Sequence, residues 1–280
     1  MEERMHKIIA NALVEDMPDG DVTTDALFTD QTTKAVLIAK DSGVLSGLDV
    51  FTSVMRHVDD SLEITFSFQD GDTVQSGDEI GRLQGRTASI LKAERTALNL
   101  LQRMSGIATM TKAFTDAVLG TGCKVYDTRK TVPNLRVLDK RAVKDGGGVN
   151  HRFSLSDMVL IKDNHISAAG SIKRAVEMAR EHVGTSMEIE VEVENAKQFE
   201  EALNTDADRI MLDNMDLKTM RTCVALNNGA KFLEASGNMA LDRAPSVAKT
   251  GVDAISVGAL THSVTAFDIS LRFEGGQPNG

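Results

Sequence analysis

Residues 187–238, MEIEVEVENAKQFEEALNTDADRIMLDNMDLKTMRTCVALNNGAKFLEASGN, decide the fold. Three apolar runs, at 187–193, 209–212 and 231–235, alternate with stretches at 196–203 and 216–226 whose apolar residues recur at helical spacing. Strand and helix alternating at intervals of roughly 20 to 30 residues predict a parallel sheet crossed over by helices. The pattern extends in both directions. Upstream it includes strand-like runs at 124–126 and 158–161 and a helical stretch at 171–181; downstream it adds a helix at 240–250 and a run at 254–257. Six such units suggest barrel-like closure.

The first 113 residues read differently. A helix with apolar residues on one face opens the chain, followed by the polar, turn-rich segment DGDVTTDALF. Short alternating runs at 34–39 and 62–68, separated by Asp-Gly and Ser-Gly turns, have the pattern of antiparallel strands. GDTVQSGDEIGRL resembles half of a lipoyl- or biotinyl-carrier barrel, but the carrier lysine is missing, so it is read as strand architecture alone. A helix is expected over 93–119, interrupted near Ser105-Gly106, with Arg95 close to its start. A cation there opposes the helix dipole and calls for a reason such as a bound anion. The expected organisation is an α/β chain: an N-terminal α/β sandwich domain over 1–113, an incomplete parallel, TIM-like α/β barrel over 114–267, and a tail, 268–280, returning to the first domain.

Composition narrows the function. The chain has 280 residues and a formal net charge of −10, which disfavours nucleic acid and anionic membrane as partners. No apolar run approaches the roughly 18 residues of a membrane span, and the acids in the opening helix argue against a signal peptide. Two cysteines, Cys123 and Cys223, make no metal or disulfide framework, so a cytoplasmic setting is expected. Against that acidic background, residues 124–165 hold nine Lys/Arg and five Asp, a local balance of +4 that leaves −14 for the rest. Such a cluster predicts a site for a small polyanion.

The ends of the expected strands carry the chemistry, because parallel barrels build their sites there. They read Asp127-Thr128-Arg129-Lys130, Lys162-Asp163-Asn164, Glu192 to Asn195, Asp213-Asn214, Ser236-Gly237-Asn238 and Gly258. In chain order the first two are mainly basic, the next two acidic, and the last two small. Glu192 and Asp213 are suited to Mg²⁺ or to substrate hydroxyls, the alternative being a structural ion network with Lys162 and Arg129. Arg129 and Arg152 match carboxylates bidentately, and His151 among so many cations is expected to be neutral. Arg136, Lys140, Arg141 and Lys144 fall in a helical stretch and read as a solvated face. Gly237 and Gly258, with Ser236, suit a phosphate.

Taken in order, ERTALNLLQRMSGIAT, DTRKTVPNLR, GGGVNHR, SDMVLIKDNHI, EVEVEN, IMLDN, LEASGN and ISVGALTHS resemble the quinolinate phosphoribosyltransferase family over nearly the whole chain. The resemblance implies that quinolinate and 5-phosphoribosyl 1-pyrophosphate are joined with Mg²⁺ to give nicotinate mononucleotide, pyrophosphate and CO₂. It further implies a homodimer in which Arg95 of one subunit enters the neighbouring site. Arg129, Lys130, His151, Arg152 and the neighbour's Arg95 would hold the quinolinate carboxylates, in a pocket that Thr128 also lines. Lys162 would contact the phosphoribosyl donor, Glu192 and Asp213 the ribose hydroxyls and the metal, and Ser236, Gly237, Asn238 and Gly258 the 5-phosphate. Three positions depart from the family pattern: Asn134 and Asn238 stand where glycine is common, and Ser156 where an aromatic is common. Two rival activities are a Schiff-base lyase using Lys162 and a related transferase acting on another ring.

Overall fold

The computed structural model describes residues 2–274. In chain order the first elements are α1 (Glu2–Asp16), α2 (Val22–Leu27), β1 (Thr32–Ala39), β2 (Gly43–Val44), α3 (Leu48–Val58) and β3 (Glu63–Phe66). Next come β4 (Thr73–Val74), β5 (Glu79–Arg86), α4 (Thr87–Ala117), β6 (Lys124–Tyr126), α5 (Arg136–Asp145) and β7 (Val159–Ile161). Then follow α6 (Asp163–Ala169), α7 (Ile172–Val183), β8 (Ile189–Val193), α8 (Ala196–Leu203), β9 (Arg209–Asp213) and α9 (Leu217–Asn227). The last are β10 (Phe232–Ser236), α10 (Ala244–Ala248), β11 (Ala254–Ser256), α11 (Ala259–His262) and β12 (Ile269–Phe273).

The chain divides into two compact units. One gathers residues up to Lys112, Thr131–Gly147 and the segment from Ser263 onward; the other is Ala113–Lys130 with Gly148–His262. The expected boundary at 113/114 therefore needs refining, because α5 and residues 263–267 group with the first unit. Residues 275–280 of the expected returning tail lie outside the described residues.

In the first unit, β12, β1, β5 and β3 form an antiparallel sheet, with β12 paired to β1 from Ala35↔Phe273 to Ala39↔Ile269. Within the turn-rich DGDVTTDALF segment Val22–Leu27 form a helix, since Asp21 caps α2 by accepting from the backbone of Thr23 and Thr24 at 3.1 and 3.0 Å. α4 is one continuous helix from Thr87, unbroken at Gly106. Arg95 therefore sits two turns inside it, and the expected conflict with the helix dipole does not arise. Of the α5 cations expected on a solvated face only Lys144 is exposed. Lys140 is 2% exposed, Arg141 donates to Asp49 and Asp70 at 2.6 and 2.7 Å, and Arg103 of α4 makes a two-point bond to buried Asp139.

The second unit holds the six expected strands in one parallel sheet, ordered β6-β11-β10-β9-β8-β7. Strands adjacent in the chain, β6 and β7, thus lie at opposite edges of an open barrel. A parallel bridge from Tyr126 to Val149 lays the segment before His151 along the free edge of β6. Ile189, Val191, Val193, Ile210 and Leu212 are fully buried, as the apolar runs require.

A Cβ at Gly106 would overlap the carbonyl oxygen of Thr265. Replacing glycine by alanine inside a helix ordinarily gains about 1 kcal/mol. Here overlap with main chain reverses the sign, and Gly106→Ala is expected to cost about 1–3 kcal/mol, read as a lower urea midpoint.

Candidate functional site

The C-terminal ends of the parallel strands surround a cavity of about 960 Å³, lined wholly by the second unit. Thr128, Arg129, Lys130, His151, Arg152, Lys162, Glu192, Asp213, Ser236, Gly237, Asn238 and Gly258 all line it. Of the residues singled out in the sequence, Arg95 is not in this lining; it belongs to the first unit and is exposed. Folding also reorders the charge pattern. Around the sheet, the basic end of β6 is followed by the small ends of β11 and β10, then by Asp213 of β9, Glu192 of β8 and Lys162 of β7.

The basic wall is held from behind. Thr128 Oγ1 accepts the Lys130 N–H at 3.0 Å, and Thr261 Oγ1 donates to the Lys130 carbonyl at 2.9 Å. Buried Asp127 takes the His151 N–H at 2.8 Å. Arg152 donates through a guanidinium nitrogen to the Met158 carbonyl at 3.0 Å. Burial, and then the neighbouring Arg129 guanidinium, hold the Arg152 pKa below its ordinary value. Two guanidinium groups close enough to oppose each other's charge suit a ligand carrying more than one negative group.

His151 is fixed as one tautomer. Its Nδ1 accepts the Arg152 N–H at 2.8 Å, so the ring proton is on Nε2, which donates to Glu190 Oε2 at 2.8 Å. The expectation of a neutral histidine fits these bonds. Both ring nitrogens are thereby engaged within the protein.

Beneath the pocket floor lies a group that sequence reasoning missed. Glu190 and Glu234 are each two residues before a strand-end residue, Glu192 and Ser236, and so point to the same side of the sheet. Both are fully buried. Arg209 packs against the rings of Tyr126 and Phe232, its Cζ 5.3 and 4.2 Å from their centroids, and reaches Glu234 at 3.4 Å and Glu190 at 3.9 Å. Burial pushes both carboxyl groups up to about 7, opposed by the Arg209 guanidinium. The alternating EIEVEV run carried a signal for Glu190, but not for the partner that β10 supplies. His151, Glu190 and Glu234 also place one donor atom each within 4.8 Å of one another, yet Arg209 already occupies the role of their counter-cation.

The acidic side is simpler. Lys162 Nζ donates to Glu192 Oε2 at 2.7 Å, and Asn214 Nδ2 donates to Asp213 Oδ2 at 2.7 Å. Lys162 caps the start of α6, and the His165 ring accepts its N–H at 3.0 Å. Opposite, Arg243 draws the carbonyls of Gly237 and Met215 toward itself at 3.1 and 2.9 Å, fixing the glycine-containing loop. Asn238 and Asn134, the two departures from glycine, have φ of 45° and 69°. Asparagine enters this left-handed region more readily than other residues with a side chain, which is why it replaces glycine here.

An open parallel barrel whose strand ends oppose a cationic wall to paired carboxylates, with a glycine-containing loop between them, defines an enzyme for polyanionic substrates of the phosphoribosyltransferase class. Residues 21–105 match the model of the quinolinate phosphoribosyl transferase N-terminal domain, and residues 107–272 that of its C-terminal domain. The chain belongs to the quinolinate phosphoribosyltransferase family. It is 41% identical over 268 residues to a probable carboxylating nicotinate-nucleotide pyrophosphorylase of Bacillus subtilis, covering 96% of this chain and 93% of that one. Among solved structures, NadC from Streptococcus pyogenes superposes with a TM-score of 0.94 at 40% identity, covering 98% of each chain. The nicotinate-nucleotide pyrophosphorylase of Francisella tularensis gives 0.94 at 38% identity, covering 98% and 97%.

The buried acids generate a pH prediction. Folded Glu234 titrates at about 7 against an ordinary value of 4.5, so between these values the folded state binds more protons than the unfolded state. Stability is then greatest at the acid end of this window and declines as pH rises through it. Urea unfolding from about pH 5 to about pH 8 should show that decline in the wild type and a smaller one in Glu234→Gln. Equal slopes would contradict the assignment.

Proposed function

We propose that this chain transfers the phosphoribosyl group of 5-phosphoribosyl 1-pyrophosphate to the nitrogen of quinolinate, releasing pyrophosphate and CO₂ and forming nicotinate mononucleotide. The observation that carries the reading is one cavity in which guanidinium groups, paired carboxylates and a glycine-containing loop occupy separate walls. Its volume, about 960 Å³, is at the upper end for small-ligand sites and accommodates two reactants side by side.

Arg129, Lys130 and Arg152 take the quinolinate carboxylates, with Thr128 beside them. His151, whose ring nitrogens are both bonded inside the protein, supports the main chain of Arg152. Ser236, Gly237, Asn238 and Gly258 receive the 5-phosphate, and Glu192 and Asp213 the ribose hydroxyls. Lys162 exchanges its bond to Glu192 for the phosphorylated donor. Breaking the bond from ribose C1 to pyrophosphate leaves positive charge at that carbon, which the adjacent carboxylates stabilise. The pyridine nitrogen bonds to C1 and becomes cationic. The adjacent carboxylate then departs as CO₂, its bonding pair remaining on ring C2 beside the cationic nitrogen that stabilises it, and C2 takes up a proton from solvent to complete nicotinate mononucleotide. The protein contributes orientation and exclusion of water rather than a covalent nucleophile.

The donor set on the acidic side fits Mg²⁺, because Glu192 and Asp213 offer hard carboxylate oxygens on neighbouring strands and phosphate oxygens complete such a sphere. When bound, the ion supplies charge neutralisation for the departing pyrophosphate. A homodimer accounts for Arg95: exposed on α4 and outside the cavity lining of its own chain, it would join the quinolinate wall of the partner. No helix among the described residues is long and apolar enough to cross a membrane. We place the enzyme in the cytoplasm, with no nucleic-acid partner.

Lys162 argues against the lyase alternative. Its side chain is 45% exposed and ion-paired at 2.7 Å, unlike the desolvated amine that a Schiff base needs. The direct test follows CO₂ and nicotinate mononucleotide from quinolinate and phosphoribosyl pyrophosphate, with and without Mg²⁺. Turnover of nicotinate but not quinolinate would overturn the substrate, and borohydride trapping of a carbonyl compound on Lys162 would overturn the reaction class.

The shared site has its own test. Arg95→Ala and Lys162→Ala should each lose most activity. Random re-pairing of the two should restore about a quarter of the wild-type rate, since half the dimers then carry one intact site of two. No recovery would show that Arg95 serves its own subunit or none.

A further inference from the structure

Asn214 has a place in the site that neither the family motifs nor the charge pattern assigns. It follows Asp213 at the end of β9 and has a φ of 52°, so its backbone leaves the strand in the left-handed region. Three bonds tie it to both sides of the pocket. Its backbone N–H donates to the Ser236 carbonyl at 2.9 Å. Its side-chain Nδ2 donates to Asp213 Oδ2 at 2.7 Å. Its Oδ1 accepts from Asn238 Nδ2 at 3.2 Å. The amide orientation is dictated by chemistry, because a carboxylate oxygen can only accept and so must face the NH₂ end.

The fit is close as well as polar. A Cβ on Gly237 would overlap Asn214 Oδ1 and come within 2.9 Å of its backbone nitrogen. The loop at 236–238 is therefore moulded against this one side chain. The terminal torsion of an aspartate is broad and two-fold. Holding Oδ2 of Asp213 selects one setting and presents Oδ1 to a ligand.

We propose that Asn214 is a positioning residue that couples the phosphate-binding loop to the orientation of the Asp213 carboxylate. A phosphate seated on residues 236–238 then fixes Asn238 and, through Asn214, prepares Asp213 for a divalent ion or ribose hydroxyl. Linkage makes the effect reciprocal: a cation at Asp213 tightens the phosphate site by the same factor. Asn238 strengthens the device in this chain. At a position where the family commonly has glycine, it retains the left-handed backbone and adds an amide that glycine lacks. The inference rests on the proposed placement of phosphate and metal in this cavity.

Calorimetry on the full chain with ribose 5-phosphate as probe, with and without MgCl₂, provides the test, alongside steady-state KM values for both substrates. The wild type should bind the probe more tightly with Mg²⁺. In Asn214→Ala that enhancement should shrink, and the KM for phosphoribosyl pyrophosphate should rise about tenfold, as expected for losing a hydrogen bond to a charged group. The KM for quinolinate should stay near its wild-type value. Asn238→Gly, which suits the same φ and removes only the amide, should reduce the Mg²⁺ enhancement in the same direction by less, and serves if Asn214→Ala folds poorly. Enhancement unchanged in both variants, or an equal loss for quinolinate, would overturn the coupling while leaving the proposed reaction intact. A wild type that binds no ribose 5-phosphate and turns over no quinolinate would overturn both.

Discussion

Arg209 is the cation on which the interior of the barrel unit depends. Its guanidinium lies against two aromatic rings and two carboxyl groups that are sealed from solvent. Removing one partner from a buried ion pair costs about 3–5 kcal/mol, because an uncompensated charge remains. Burial therefore raises the carboxyl pKa values, and the arginine limits the rise. One of these acids holds the Nε2–H of His151, and the other nitrogen of that ring holds the backbone of Arg152. A polar stack in the floor thus sets the aim of a guanidinium in the wall. Such a stack is costly to form, the more so because Glu190 Oε1, Glu234 Oε1 and Arg209 Nε are buried without a hydrogen-bond partner.

Above this floor the strand ends separate charge by position on the sheet. The cations of β6 and the segment before β7 stand apart from Glu192 and Asp213, with small residues and a loop between. Separation matters because a dicarboxylate and a phosphorylated sugar must approach each other while both are anionic. Each is neutralised by a different wall, and the reaction then requires mainly that nitrogen and C1 be held in line. Asn214 links two of the walls, so the loop and the carboxylate beside it act together.

Much of this was legible in the residues. The six parallel strands were visible because buried strands read as compact apolar runs, and twelve of the thirteen singled-out residues share the cavity lining because parallel strands deliver their C-terminal ends to one face. What escaped was decided by local bonds or distant partners. Asp21 makes a helix of a segment that composition marks as a turn. Gly106, which reads as a break, instead admits the Thr265 carbonyl close to an unbroken helix. Lys140 and Arg141 have the look of a solvated face, yet Asp49 and Asp70, some 70 to 90 residues away in sequence, receive Arg141.

By itself the sequence determined the alternation of strands and helices, the local excess of positive charge, and which residue types stand at each strand end. These are properties of spacing and side-chain chemistry, and need no partner to be read. Only the tertiary structure decided the order of the strands around the sheet, and with it that Lys162 lies at the edge opposite Arg129. It alone brought Glu190, Glu234, Arg209 and His151 into one buried group and placed Asn238 against Asn214. Pairing across a sheet joins residues far apart in the chain, and no local periodicity encodes which of them will share a proton or a hydrogen bond.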